Sequence, residues 1–205
     1  IFYEYNHSWK EKINLAYNLS NCQLGEFKFK QPITGLVGVK GKITGTISEP
    51  EITGSFQTEE FGYNNIKLNN SKGNLVYSDD TLKVKNWNVN FGDNKYSIKG
   101  NINSLLEVPE MDLNMEVVRG ELETLLTLVD VDLPLTMNYI LTGKAEIKGS
   151  FKEPKAQVDI YGYSENEANG DLFIKGKIGK TMDMNIKVDG LFLSQKANFR
   201  SKDIK

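Results

Sequence analysis

Apolar and polar residues alternate with a period of two along most of the chain, which is the pattern of β-strands that bury one face. Residues 36–47 show it clearly, with valines and isoleucines in one phase and lysines and threonines in the other. Residues 111–117 and 182–188 repeat it without interruption. About fourteen such runs can be counted, and turn-forming residues separate most of them.

The alternation changes phase once within a run. The segment from Trp87 to Phe91 alternates in the opposite phase to Leu82 and Val84. A strand can change phase in this way only where an extra residue is inserted into its pairing. The sequence therefore predicts a β-bulge near Asn86.

One segment has a helical period instead. Apolar residues follow Gly120 at the spacing i, i+3, i+4 and i+7, and glutamates occupy the first turn, where the helix dipole favours negative charge. This predicts a short helix near 121–129, whose apolar stripe is Leu122, Leu125, Leu126 and Val129. We interpret the helix as a cap over one stretch of the apolar sheet face.

A short motif occurs twice, about a hundred residues apart. Gly45-Thr-Ile-Ser-Glu-Pro50 and Gly149-Ser-Phe-Lys-Glu-Pro154 share the pattern glycine, hydroxyl residue, apolar residue, any residue, glutamate, proline. Each copy follows an alternating strand, which the proline bends or ends because it has no N–H to donate. The two copies indicate a repeated β unit, with repeat-like segments at about 36–134 and 135–205.

Together these patterns predict an all-β fold with one short helix. So many strands with one apolar face favour an elongated, curled antiparallel sheet, which would form a U-shaped trough or an open barrel with an apolar interior. An ordinary β-sandwich, in which two apolar faces meet, is the alternative that alternation alone allows.

Composition narrows the possible functions. The net charge is −2 and lysines are interspersed with carboxylates, so we expect no nucleic-acid binding. Cys22 and His7 are the only residues of their types, and the chain has no phosphate loop or nucleophile elbow. We therefore expect no catalytic residues, no metal site, no cofactor and no enzymatic activity.

The chain starts at Ile1 without a signal peptide or an apolar run near 18 residues, so we interpret residues 1–205 as a fragment of one longer β-repeat domain.

The repeat carries a resemblance to a known family. The segment 143–156, preceded by Leu133-Pro134, resembles the TamB family, the inner-membrane component of the translocation and assembly module, within the AsmA-like group of diderm bacterial envelope proteins. The block from Gly100 through the predicted helix and the segment 73–77 are similar to it as well, so that the resemblance covers roughly residues 35–205. It implies a periplasmic β-trough ("β-taco") in a protein that is anchored in the inner membrane and takes part in outer-membrane biogenesis and bridge-like lipid transfer.

From this resemblance we expect a hydrophobic groove for phospholipid transport between the inner and outer membranes. Its partners would be phospholipid acyl chains and, in the full-length protein, an outer-membrane barrel assembly protein of the Omp85 type. The alternative is a scaffold or chaperone that assists assembly of outer-membrane β-barrels or autotransporters by strand augmentation. The candidate groove-lining residues are Val37, Val39, Ile43, Ile47, Ile98, Met111, Leu113, Met115, Ala145, Ile147, Val158, Ile174, Met184 and Ile186.

Overall fold

The computed structural model describes residues 12–26, 33–63, 66–122, 138–164, 170–189 and 194–202. These residues form twelve strands and one short 3₁₀ helix, Leu24–Glu26. The strands are β1 (Lys12–Gln23), β2 (Ile33–Thr46), β3 (Pro50–Tyr63), β4 (Ile66–Ser78), β5 (Thr81–Phe91), β6 (Asn94–Asn103), β7 (Glu110–Glu121), β8 (Tyr139–Ser150), β9 (Lys155–Ser164), β10 (Asp171–Ile178), β11 (Thr181–Asp189) and β12 (Ser194–Lys202).

All twelve strands belong to one sheet, in which the spatial order is the order along the chain. Every neighbouring pair is antiparallel, as short connections between consecutive strands require. The prediction of an elongated antiparallel all-β fold is confirmed. Because the described strands form one sheet, they do not build the two-sheet sandwich that alternation alone also allowed.

The predicted bulge is present in β5. Val84 pairs with Gly100 and Trp87 pairs with Ile98, so the two intervening residues of β5 face a single residue of β6. The extra residue lets both halves of the strand turn their apolar side chains to the same face despite the change of phase.

Other strands contain similar irregularities. Register shifts lie between Leu19 and Cys22 in β1 and between Asn69 and Lys72 in β4. Asn21 and Asn70, within these shifts, have φ angles of 57° and 49°. Asparagine tolerates this left-handed region better than most residues do, and bulges of this kind increase the local twist and bend of a sheet.

The repeated motif forms the same hairpin connection twice. In the first copy, which joins β2 to β3, Gly45 has a φ of 92° and the Thr46 hydroxyl accepts a hydrogen bond of 3.1 Å from the Glu49 N–H. A Cβ at Gly45 would lie 2.4 Å from the Glu49 carbonyl oxygen. The glycine is therefore required both by its φ and by the close approach of the turn.

The second copy joins β8 to β9 with matching geometry. Gly149 has a φ of 95°, and the Ser150 hydroxyl accepts a hydrogen bond of 3.2 Å from the Glu153 N–H. A Cβ at Gly149 would lie 2.9 Å from the Glu153 carbonyl oxygen. The hydroxyl residue and the glutamate of the motif thus shape a loop.

β7 extends one residue into the predicted helix. Gly120 and Glu121 continue the strand and pair with Leu141 and Ile140. The Glu121 N–H donates to the Asn94 side-chain oxygen, which holds the end of β7 against the β5–β6 hairpin. Of the predicted helix, Leu122 is helical and buried, and residues 123–129, with Leu125, Leu126 and Val129, lie outside the described residues.

The best-buried part of the sheet lies on one face of β5–β10. A cluster of buried residues includes Val89, Tyr96, Val117, Leu141 and Leu172. Val117 and Leu141 are only 1% and 0% exposed. Side chains on a sheet face with nothing packed against it stay partly exposed to solvent. The apolar face around Val117 and Leu141 is therefore covered and out of contact with solvent.

We expect Gly100→Ala to destabilise the sheet and Gly38→Ala to be tolerated. Gly100 has a φ of 140°, and a Cβ there would lie 2.1 Å from the Asp112 carbonyl oxygen, a backbone atom that cannot move aside. A Cβ at Gly38 meets nothing closer than 3.8 Å. Urea unfolding should show a loss of about 1–3 kcal/mol for Gly100→Ala. An equal loss in both variants would contradict the close approach of β6 and β7.

Candidate functional site: the apolar face of the sheet

The register of the strands aligns apolar residues into rows that cross the sheet. One row runs from β2 to β11 through Val39, Phe56, Gly73, Trp87, Ile98, Met115, Ala145, Val158, Gly176 and Met184, each paired with the next. Since neighbouring strands lie about 4.8 Å apart, the row is roughly 40 Å long. Every side chain in it is apolar, and it is interrupted only by glycines.

Thirteen of the fourteen candidate lining residues share this face, because they occupy the same phase as that row in their own strands. Ala145, Val158 and Met184 are buried, and the other ten are partly buried: Val37, Val39, Ile43, Ile98, Met111, Leu113, Met115, Ile147, Ile174 and Ile186. Ile47 is the exception. It lies in the loop after β2 and is 49% exposed, because β2 ends at Thr46.

Burial changes along the sheet. In β2 the apolar face is only partly buried, and Leu15 and Leu19 of β1, in the same phase, are each 54% exposed. From β3 to β10 the same face contains side chains that are almost completely buried, beginning with Thr58 of β3 and Ser71 of β4. The apolar face is therefore accessible at its N-terminal strands and closed in the middle.

Large side chains fill the spaces that glycines leave on neighbouring strands. The Tyr17 hydroxyl lies over Gly41 and Gly54, where added Cβ atoms would come within 2.5 and 2.3 Å of it, and it donates to the Thr53 carbonyl oxygen. Met184 covers Gly176 in the same way, with its sulfur 2.6 Å from the position of an added Cβ. Such pairs let the sheet pack side chains flat against its own surface.

Sequence reasoning left several residues of this face out of the candidate set. Phe56 and Trp87, whose rings meet edge to face at 6.0 Å, and the buried Leu141 and Leu172 all belong to it. The sequence did contain the information needed to place these four residues, because each follows the period-two alternation of its own strand. Trp87 lies beyond the bulge, so the phase had to be carried across the inserted residue to place it.

Four polar groups are buried within the apolar surroundings. In the described part of the chain, the hydroxyls of Thr58, Ser71 and Tyr96 and the indole N–H of Trp87 have no hydrogen-bond partner. Burial raises the pKa of the Tyr96 hydroxyl to about 12, and the charge of Glu121 adds to the shift. The neutral form of Tyr96 is therefore strongly favoured in the folded protein.

The described residues offer little for chemistry. They contain no group of three or more histidine, cysteine or carboxylate side chains that could hold a metal ion. Within the same ranges no helix is long and apolar enough to cross a membrane. Compared with family models, with curated proteins and with solved structures, the chain has no match.

We expect Tyr96→Phe to stabilise the protein at pH 7. The substitution removes a buried hydroxyl without a partner and keeps the ring, so the free energy of unfolding should rise by about 1 kcal/mol. The pH dependence has a defined sign. Because the folded-state pKa is raised, stability due to neutral Tyr96 is complete below the ordinary tyrosine pKa of 10.0 and is lost as the pH rises toward 12.

Urea unfolding at pH 7 and at several pH values from 9 to about 12 measures both effects. Tyr96→Phe should lose less stability over the alkaline range than the unaltered chain does. Tyr77→Phe, at a partly buried tyrosine of the same face, is the control. A destabilised Tyr96→Phe with an unchanged alkaline profile would mean that the hydroxyl has a partner.

Proposed function

We propose that the apolar face holds lipid acyl chains, and that the chain is a periplasmic segment of an envelope protein that conducts phospholipids between the inner and outer membranes. The observation that carries the proposal is the row of apolar residues that crosses ten strands in a single sheet. The resemblance of the repeat region to the TamB family supplies the membrane context.

The length of the row favours several acyl chains over one buried ligand. One leaflet of a bilayer has a hydrocarbon depth of about 15 Å, half of the whole core. The row of roughly 40 Å could therefore take acyl chains one after another. Each methylene group moved out of water onto this face would contribute about 0.8 kcal/mol, which is enough to hold a lipid without a polar binding site.

The gradient of burial suggests where lipid enters. The N-terminal strands present partly buried apolar residues such as Val39 and Ile43, and β1 adds the exposed Leu15 and Leu19. In the middle strands this face contains almost completely buried side chains, among them Val117 and Leu141. We therefore propose that lipid first contacts β1 and β2, and that passage along the middle strands requires the buried side chains there to move.

A scaffold that assists outer-membrane barrel assembly by strand augmentation is the second candidate. Within the described residues, β1 and β12 each pair with a strand on one side only. β1 is twelve residues long, enough to present a row of backbone donors and acceptors to an unfolded strand. Photo-crosslinking from β1 to an unfolded barrel substrate, with none from the apolar face, would favour this function.

We expect Ile43→Asp to reduce lipid co-purification strongly and Thr44→Asp to preserve it. Ile43 is on the apolar face between Leu15 and Ile52, and its neighbour Thr44 is on the opposite face. A carboxylate among acyl chains loses its hydration, so bound lipid should fall by about fivefold or more in Ile43→Asp alone. Native mass spectrometry of the purified chains measures the bound lipid directly.

Circular dichroism and urea unfolding should accompany this comparison, so that a folding defect in either variant is recognised. Equal amounts of lipid in folded Ile43→Asp and Thr44→Asp would contradict the proposed site. Complete absence of lipid from the unaltered chain, together with no uptake from phospholipid vesicles, would contradict the proposed function.

A further inference from the structure

A shallow, open depression lies on the opposite, polar face of the same sheet. Two adjoining cavities of about 440 and 780 Å³ cover β1–β5, and they share the residues Asn18, Lys40, Ser55, Asn74 and Asn86. We call this surface the polar groove. Those five residues are paired one to the next across the five strands, so they form a single row. With strands about 4.8 Å apart, the row is roughly 19 Å long.

Bulges surround the polar groove and account for its shape. The register shifts of β1, β4 and β5 all occur beside it, and Asn21, next to the first shift, borders the smaller cavity. Each bulge bends its strand and increases the local twist. A strongly twisted sheet is saddle-shaped, and it can therefore be concave on its polar face as well.

The lysines of the polar groove differ from those at the other end of this face. Lys148, Lys175 and Lys180 each lie within salt-bridge distance of a carboxylate, and the Lys175–Asp159 pair is 2.7 Å apart. Lys40, Lys42, Lys72 and Lys85 border the two cavities, and in the described part of the chain none of them has a carboxylate partner. Among the described residues, Glu59 is the one carboxylate residue that lines the cavities. The polar groove therefore carries excess positive charge on a chain with a net charge of −2.

Amides supply most of the uncharged polar side chains of the lining, beside apolar residues and glycines of the same strands. The Asn74 side-chain N–H donates to the side-chain Oδ1 of Asn86 at 2.8 Å, which fixes the orientation of both amides. Gln57 and Asn88 lie in the next row, on either side of Lys72. An amide both donates and accepts hydrogen bonds, which suits the hydroxyl groups of sugars, and free lysines suit carboxylates.

We propose that the polar groove binds a linear acidic polysaccharide. Its length of several strand spacings and its row of lysines and amides fit an extended anionic chain better than a flat bilayer surface. Nucleic acid fits less well, because base stacking needs aromatic rings on the groove surface. Phe56 borders the groove, but its ring packs against Trp87 on the apolar face. This site is independent of lipid binding, since it uses the other side of the sheet.

The test compares binding of polygalacturonate oligomers, a uronic-acid polymer, with binding of neutral dextran and single-stranded oligodeoxythymidylate. Isothermal titration calorimetry at low ionic strength measures each affinity, because salt screens exposed charges. We expect polygalacturonate to bind and dextran to bind at least about tenfold more weakly.

Two double lysine variants test the charged residues. Lys40→Gln/Lys72→Gln should weaken polygalacturonate binding by about tenfold. The control Lys148→Gln/Lys175→Gln, with the same change in net charge on the same face, should keep it.

A third variant tests the amides. Gln57→Ala/Asn88→Ala leaves every lysine in place and should weaken polygalacturonate binding while oligodeoxythymidylate binding, if any, stays constant. The proposal is overturned if polygalacturonate does not bind, if both lysine variants lose affinity equally, or if the amide variant binds as well as the unaltered chain. It is also overturned if oligodeoxythymidylate binds as tightly through the same lysines.

Discussion

The constraint on which this structure depends is the register of an antiparallel sheet with a period of two. Shifting one strand by a single residue would turn its apolar side chains to the polar face. The apolar residues of each strand must therefore pair with the apolar residues of the strand before it. Twelve strands meet that condition in sequence order, including β5, where a bulge restores the phase between Val84 and Trp87. From β2 to β11 one face therefore keeps a continuous apolar row, and the other face is mainly polar, with the aromatic pair Tyr161 and Phe173 as an exception.

Much of this architecture could be predicted from the residues alone. Alternation identified the strands and the face of the candidate residues, and the phase change located the bulge at Asn86. The exact end of β7 could not be predicted, because the hydrogen bond from the Glu121 N–H to Asn94 joins residues far apart in the chain and keeps Glu121 in the strand. The loop position of Ile47 has a local cause, since the turn begins at Thr46, whose hydroxyl accepts from the Glu49 N–H.

Burial along the sheet also required the structure. Val39 and Val117 look alike in sequence, as alternating valines, yet Val39 is partly buried and Val117 is 1% exposed. The difference depends on which side chains pack over each position, and alternation carries no information about that. The polar groove could not be predicted from the sequence either. Its asparagines and lysines come from separate strands, and only the register of the strands shows that they form one row.

We propose that the apolar face at β1 and β2 is open and receives acyl chains, whereas the middle of the sheet is closed. Single cysteines at Ile43, Met115 and Val117, in a chain with Cys22→Ser, would test it by the rate of maleimide labelling with and without phospholipid vesicles. We predict fast labelling at position 43 that lipid suppresses, slower labelling at 115 and almost none at 117. Equally slow labelling at all three positions, unchanged by lipid, would show a filled core and contradict an open lipid-binding face.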